Sequence, residues 1–109
     1  MLKGGMQGML KQVQKMQEEM ARVQEELRNK TVSEESGGGM VRATVNGQKE
    51  LVKLEINDEV INVEDKEMLE DLIVAAVNKA IESAGKMAEE ELAKVTKGMI
   101  PSGLNIPGF

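Results

Sequence analysis

The feature that most constrains this chain is the strict spacing of apolar residues in its first 27 positions. They recur with alternating gaps of four and three residues, which is the heptad repeat of a helix that packs along one seam. We therefore predict a helix over residues 6–29, after a frayed start at residues 1–5 that contains two glycines. Half of the seam is methionine, a flexible side chain that adapts to irregular contacts. The seam consists of Leu2, Met6, Met9, Val13, Met16, Met20, Val23 and Leu27.

The outer face of this helix begins with lysines. Residues 1–17 contain Lys3, Lys11 and Lys15 and no acidic side chain, and Arg22 follows on the same face. The whole chain has a net charge of −5, which argues against a uniformly basic surface for nucleic acid. A locally basic tip can still contact phosphates while the rest of the chain is repelled. An ordinary solvated helix face would carry the same lysines, and the sequence leaves both interpretations open.

A three-stranded antiparallel sheet is predicted over residues 30–57. Asn46-Gly47 is a strong hairpin signal, because both central residues of a type I′ turn need positive φ. A two-residue turn at this point pairs Val41 with Val52 and places alternate apolar residues on one face. The residues before the triple-glycine turn add an edge strand. The apolar face contains Val41, Ala43, Val45, Val52, Leu54 and Ile56.

A second helix is predicted over residues 62–97, followed by an irregular tail at residues 98–109. Its first half is broadly apolar and can cover the sheet. Both helices are long for a domain of this size, whose radius of gyration would be about 13 Å. Leaving the seam of the first helix in water would forfeit on the order of 10 kcal/mol. We therefore expect one α+β domain over residues 1–109 that forms a homodimer.

Composition argues against several functional classes. The chain has no cysteine, histidine, tryptophan or tyrosine. It therefore lacks a thiol nucleophile, the commonest general base and the aromatic platforms on which single-strand binders stack bases. We expect a cytoplasmic protein that is not an enzyme and has no metal, no cofactor, no small-molecule substrate and no membrane span.

Four segments together resemble the small bacterial nucleoid-associated proteins of the YbaB/EbfC type. They are MLKQVQKMQEEMARVQEEL, SGGGMVRATVNGQKELVKLEI, EDKEMLEDLIVAAVNKA and the ending SGLNIPGF. The resemblance covers nearly the whole chain. It implies an α-β-β-β-α subunit, a tweezer-shaped homodimer and binding to double-stranded DNA with little sequence preference, in the nucleoid. It also implies a role in nucleoid organisation or gene regulation, but it transfers no DNA-contacting residue.

The residues themselves suggest two sets of contacts. We expect phosphate contacts from the basic face, through Lys3, Lys11, Lys15 and Arg22. We expect dimer or helix contacts from Met6, Met9, Val13, Met16, Met20, Val23, Leu27, Val41, Val45, Val52, Leu54 and Ile56. An alternative function is an acidic, tweezer-shaped interaction module that grips a protein client, as a chaperone does, through its methionine-rich helix faces.

Overall fold

The computed structural model describes residues 2–61 and 63–99, with side chains described for residues 6–61 and 64–97. The chain folds in the order α-β-β-β-α, which confirms the predicted α+β class and subunit architecture. The elements are α1 (Leu2–Leu27), β1 (Thr31–Ser36), β2 (Val41–Asn46), β3 (Leu51–Ile56), two short 3-10 turns (Asp58–Val60 and Val63–Asp65) and α2 (Lys66–Met99).

The helices differ from their predicted bounds. α1 begins at Leu2 rather than at Met6, because a glycine costs a helix only about 1 kcal/mol relative to alanine and the glycines at positions 4 and 5 do not stop it. α2 continues through Gly98, where we expected it to end. Asn62, the predicted start of the second helix, lies outside the described residues. The predicted tail lies outside them from residue 100 onwards.

The end of α1 is fixed to the turn between β2 and β3. The Gly47 N–H donates to the carbonyl oxygens of Leu27 at 2.8 Å and Lys30 at 2.9 Å. Nε2 of Gln48 donates to the carbonyl oxygen of Gln24 at 3.0 Å. A Cβ atom on Gly47 would stand 2.7 Å from the Leu27 Cβ, closer than such atoms pack. Glycine is therefore required here because the helix approaches the turn so closely.

The three strands form an antiparallel sheet in the order β1-β2-β3. The predicted pairing of Val41 with Val52 is wrong, because Val41 lies opposite Ile56 and Ala43 lies opposite Leu54. β3 is thus displaced from its predicted register by an even number of residues. An even displacement keeps each side chain on its own face, so Val41, Ala43, Leu54 and Ile56 still share one face.

The turn between β2 and β3 accounts for the displacement. It is a three-residue loop, in which the Asn46 N–H donates to the Glu50 carbonyl and the Lys49 N–H to the Asn46 carbonyl, both at 2.9 Å. Positive φ falls on Lys49, at 64°, as in loops where a type I turn precedes a left-handed residue. The Asn46 side chain accepts from two backbone N–H groups of the loop, at 2.9 and 3.0 Å. The register also shifts beside Val45, where a bulge joins the loop to the strand.

The core lies between α2 and the first two strands. Small side chains at every fourth position let α2 approach the sheet closely, because such positions share one helix face. The fully buried core residues are Val41, Ala43 and Val45 on β2 and Ala76, Ala80 and Ala84 on α2. The Ser36 hydroxyl donates to the Leu72 carbonyl at 2.6 Å and helps to hold β1 under the helix. α2 does not cover β3. Every residue of β3 except the last, Ile56, is exposed.

The molecule is elongated, with extents of 76 × 24 × 16 Å. Its radius of gyration is 20.7 Å, whereas a compact domain of this length would have about 13 Å. The difference arises because the helices project beyond the sheet, as their lengths predicted.

Candidate nucleic-acid interface

α1 and the last turns of α2, from Glu91 onwards, form a two-helix arm that leads away from the sheet. Val23 on α1 and Val95 on α2 line the same groove between the two helices. Closer to the sheet, Nζ of Lys30 lies 3.1 Å from the carboxylate of Glu91. The two helices of the arm therefore run in opposite directions.

Glu91 is the main electrostatic link inside the arm. Its carboxylate contacts the ammonium groups of Lys30 and Lys94, each at 3.1 Å. The hydrogen bond from Lys30, followed by that from Lys94, lowers the pKa of Glu91. The lysines of the α2 portion are therefore not all free to meet another anion, since Lys94 already has a carboxylate partner.

The predicted seam of α1 divides into two parts with different surroundings. In residues 16–27, the base of α1, Val23 and Leu27 are buried, with 6% and 2% of their surface exposed. In residues 2–15, the tip of α1, Met6 is 63% exposed and Met9 is 68% exposed. Val13 is likewise exposed. Met16 and Met20, between these two groups, are half-buried. The side chain of Leu2 lies outside the described residues. Among the seam residues that the structure describes, burial therefore decreases from the base to the tip.

Two of the four predicted phosphate-contacting residues stand on the tip with free charges. Lys11 and Lys15 are exposed and lie one helical turn apart. Within residues 6–61 and 64–97, neither ammonium group has a carboxylate at ion-pair distance; Lys15 acts on the carboxylate of Glu19 only at longer range. Lys3 belongs to α1, but its side chain lies outside the described residues. The tip thus presents a short row of cations.

Arg22 is the predicted phosphate contact that the structure places differently. Its guanidinium lies 2.6 Å from the carboxylate of Glu19 and 2.6 Å from that of Glu26. The hydrogen bond from Arg22 lowers the pKa of Glu19, and the bonds to Glu19 and then Glu26 raise the pKa of Arg22. Two carboxylates outweigh one guanidinium, so this part of the base is locally anionic. Arg22 is therefore not brought together with the lysines of the tip as a free cation.

The predicted contact residues of the sheet also separate into two groups. Val41 and Val45 are fully buried beneath α2, so within one chain they form a helix contact and have no surface left for a second subunit. Ile56 is half-buried. Val52 and Leu54 are 53% and 38% exposed, and they remain available for a partner.

Sequence reasoning missed several exposed apolar residues. One of these residues lies on the tip of α1, outside the heptad seam. The remaining residues lie on β3 and near the start of α2. They are Leu10, Leu51, Ile61, Met68 and Val74. The alternation of β3 places Leu51 on the same face as the polar Lys53 and Glu55, so it was not counted among the apolar contacts. Leu10 could have been found from the sequence. An apolar residue next to a heptad position widens the apolar face of a helix beyond the seam.

Within the described residues, no helix is long and apolar enough to cross a membrane. The same part of the chain contains no group of acidic side chains suited to holding a metal ion. What the arm offers chemically is an exposed pair of ammonium groups beside an exposed apolar strip.

The fold and the arm define a small α+β protein with a projecting, basic-tipped helix. The chain belongs to the YbaB/EbfC DNA-binding family, whose model matches residues 3–99.

Two bacterial relatives that match over the whole chain are named nucleoid-associated proteins. The chain is 52% identical over 115 residues to a nucleoid-associated protein of Thermoanaerobacter pseudethanolicus, covering 100% of this chain and 99% of the relative. It is 47% identical over 109 residues to a nucleoid-associated protein of Pelotomaculum thermopropionicum, with the same coverage. A crystal structure of an uncharacterised protein from Helicobacter pylori matches with a TM-score of 0.59 at 30% identity, covering 81% of this chain and 98% of that one.

Proposed function

We propose that the protein is a homodimer that binds double-stranded DNA with little sequence preference, through phosphate contacts from the tips of its two α1 helices. It acts in the cytoplasm on the bacterial nucleoid, in organising the DNA or regulating genes. The observation that carries the proposal is the pair Lys11 and Lys15, exposed at the tip without an ion-pair partner among the described residues. Lys3 precedes them on the same helix.

Electrostatics favours the tip over Arg22 at the base and over Lys94 on α2. At the base, Arg22 is held between two carboxylates, and on α2 Lys94 is held by Glu91. A phosphate that approached Arg22 would first have to displace these carboxylates, whereas at the tip it would displace only water and small ions. Neutralising phosphates releases counterions from the duplex, and this release supplies affinity without reading the bases. Low sequence preference follows from this mode of contact.

The uncovered side of the sheet supports the homodimer. β3 is an edge strand whose backbone groups are unpaired on one side, and such an edge is a template for pairing with another chain. Its exposed Val52 and Leu54 lie beside a strand, β2, that is fully covered on its apolar face. Two sheets that meet through β3 would bury these residues and leave both arms projecting. Two arms on one duplex would raise the apparent affinity by effective concentration alone.

A charge-reversal experiment tests the DNA interface. We expect Lys11→Glu combined with Lys15→Glu to weaken binding to unrelated duplexes alike, measured by fluorescence anisotropy at several salt concentrations. With three lysines from each subunit engaged, the wild-type log–log salt slope would be about −5. The matched control is Lys66→Glu with Lys86→Glu, which changes the net charge equally but lies on α2. Equal loss of affinity in both variants would refute the tip as the contact surface.

The dimer interface needs a separate test. We expect Leu54→Lys to lower the mass in solution, measured by light scattering, from two chains to one. Leu10→Lys is the matched control, since it places the same charge at an exposed apolar position on the tip and should leave the mass unchanged. A dimer that survives Leu54→Lys, or a wild-type chain that is monomeric at micromolar concentration, would contradict assembly through β3.

A protein client is the second candidate function, and the exposed apolar strip at the tip favours it. Met6, Met9 and Leu10 are each more than half exposed, and exposed apolar patches often mark interaction sites. The strip would then grip an unfolded segment. The test is suppression of aggregation of an unfolded model protein, compared between the wild type and Met9→Ser with Leu10→Ser. Suppression that these changes abolish, without DNA binding above that of an unrelated acidic protein, would favour the client.

A further inference from the structure

The loop between β2 and β3 contains the only asparagine–glycine pair in the chain, Asn46-Gly47. Such pairs are the most reactive sites of spontaneous deamidation, because glycine has no side chain to shield its backbone nitrogen. The other asparagines all precede bulkier residues. They are Asn29, Asn57, Asn62, Asn78 and Asn105. The structure of this one loop therefore decides whether the reactive pair can react.

Deamidation of such a pair needs no enzyme. The backbone nitrogen of Gly47 loses its proton to hydroxide and forms a bond to Cγ of Asn46. The Cγ–Nδ2 bond then breaks, and Nδ2 takes a proton from water and leaves as ammonia. Water opens the resulting cyclic imide at either of its carbonyl groups, which yields aspartate or isoaspartate. The reaction therefore requires that the Gly47 N–H be free and accessible to hydroxide.

The end of α1 withholds this N–H group from the reaction. The Gly47 N–H is shared between the carbonyl oxygens of Leu27 at 2.8 Å and Lys30 at 2.9 Å, and Gly47 is buried. The Leu27 side chain packs directly against the glycine. Removal of the proton in this state would leave an anionic nitrogen facing two carbonyl oxygens, which are the negative ends of their dipoles. The nitrogen is therefore unreactive while α1 stays attached to the loop.

The folded loop has no place for the product of the reaction. Nδ2 of Asn46 donates to the carboxylate of Glu50 at 2.9 Å, and Asn46 is only 2% exposed. An aspartate at position 46 would replace this donor by a second carboxylate, so two negative charges would face each other at a buried position. An isoaspartate would instead add a methylene group to the backbone at the end of β2. Either product would therefore prevent the loop from closing again on α1.

We propose that Asn46-Gly47 is an intramolecular deamidation site that the attachment of α1 keeps unreactive. Release of the base of α1 frees the Gly47 N–H and allows deamidation, and the product prevents reattachment. The reaction thus converts a reversible opening of the arm into an irreversible one. The inference depends on contacts at the base of α1 and not on the binding of DNA by the tip, so each proposal can fail without the other.

The rate of deamidation in the full-length chain tests the protection. Peptide mass spectrometry follows the loss of the Asn46 amide in mildly alkaline buffer, in the folded chain and in the chain unfolded by urea. We expect the folded chain to react about 100-fold more slowly, which corresponds to an opening free energy of about 2.8 kcal/mol. The other asparagines are internal controls and should keep their amides in both states. Equal rates at Asn46 in the two states would overturn the proposal.

Two substitutions test whether α1 provides the protection. Leu27→Ala should accelerate deamidation of the folded chain at least about tenfold. The control is Val60→Ala, which truncates a core residue that is 5% exposed and follows the end of β3 remote from the loop. Equal acceleration by both would mean that the site opens only when the whole fold unfolds, and it would contradict the role of α1.

A milder substitution serves if Leu27→Ala fails to fold. Gln48→Ala removes the bond between Nε2 of Gln48 and the Gln24 carbonyl, at 3.0 Å. It should accelerate deamidation about threefold in the folded chain and leave the rate in urea unchanged. An unchanged rate in the folded chain would assign the protection to the loop alone.

Hydrogen exchange of the Gly47 N–H gives an independent measure, because exchange and deamidation both require release of the same group. NMR measures how much the folded state slows this exchange relative to the unfolded chain. We expect this factor to agree with the slowing of deamidation within about threefold. Asn46→Asp, which reproduces one product, should reduce the protection of the Gly47 N–H at least about tenfold. Deamidation much faster than the exchange permits, or full protection in Asn46→Asp, would overturn the proposal.

Discussion

The base and the tip of α1 carry the same apolar repeat but have opposite surroundings. At the base, Val23 and Leu27 are buried, and hydrogen bonds from Gly47 and Gln48 hold the backbone. At the tip, Met6 and Met9 are mostly exposed, and the neighbouring Lys11 and Lys15 lack ion-pair partners in the described part of the chain. The comparison teaches that a heptad repeat specifies a face that needs cover without specifying what covers it.

The largest expected difference is in the free energy of unfolding, between truncation of Leu27 at the base and truncation of Met9 at the tip. Leu27→Ala removes a side chain that is only 2% exposed, and truncating such a residue costs about 2–5 kcal/mol. Met9→Ala truncates an exposed side chain of the same seam and should change the free energy of unfolding by no more than about 0.5 kcal/mol. Urea unfolding at one fixed protein concentration measures both. Equal costs would mean that the tip is packed in solution as tightly as the base.

Substitution of two glycines by alanine tests the same difference between the attached base and the open tip. Gly47→Ala places a Cβ atom 2.9 Å from the Leu27 carbonyl oxygen, and such overpacking should cost about 1–3 kcal/mol. Gly8→Ala adds a methyl group on the tip, where nothing lies within 4 Å, and should raise helicity and stability by up to about 1 kcal/mol. Thermal unfolding followed by circular dichroism measures both. A stabilising Gly47→Ala would contradict the close attachment of α1 to the turn.

Substitution of Lys15 on the tip should weaken DNA binding more than substitution of Arg22 on the base. Lys15→Gln removes a free cation from each chain. The log–log salt slope should become shallower by about 0.9 per lost phosphate contact, or roughly 2 for the proposed homodimer. Arg22→Gln removes a guanidinium already paired with Glu19 and Glu26, so its effect should be less than half as large. Fluorescence anisotropy titrations of duplex DNA at several salt concentrations measure both effects. A larger loss from Arg22→Gln would move the interface from the tip to the base.

The smallest expected effect is the pH dependence of stability that arises from the ion pairs of Glu91. Because Lys30 and Lys94 lower the pKa of Glu91 in the folded chain, the link stabilises the fold above the ordinary glutamate pKa and is lost as the pH falls through the lowered value. The stability difference between wild type and Glu91→Gln should therefore be small near pH 7 and vanish in strong acid. In NMR titrations, Lys30→Gln with Lys94→Gln should raise the pKa of Glu91. An unchanged pKa would refute the link.

Sequence periodicity predicted the order of the elements because helix and strand patterns depend mainly on local spacing. It also placed Val41 and Ala43 on the buried face of β2, since the even displacement of β3 did not change which face each residue occupies. The predicted turn failed for a tertiary reason. Gly47 suggested a two-residue turn, but this glycine serves the close approach of Leu27, and Lys49 takes the positive φ instead.

The candidate site was less predictable than the fold. A helical repeat places Lys11, Lys15 and Arg22 on one outer face, yet it does not reveal which of them is neutralised. Arg22 has acidic neighbours three positions before and four positions after it, a spacing that favours ion pairs. Lys11 has none, and this difference was already present in the sequence. The open side of β3 could not be foreseen, because it depends on where α2 crosses the sheet.

The anchoring of α1 at only one end makes it a lever. The base is held by the hydrogen bonds of Gln24 and Leu27 to the turn and by its packing beside α2. Only the tip, residues 2–15, is free, and it extends about 21 Å at 1.5 Å per residue. A tilt of about 10° at the junction of tip and base would carry the far end of the helix through roughly 4 Å. In the homodimer proposed above, two such levers would adjust their span to bent or straight duplexes with little repacking of either core.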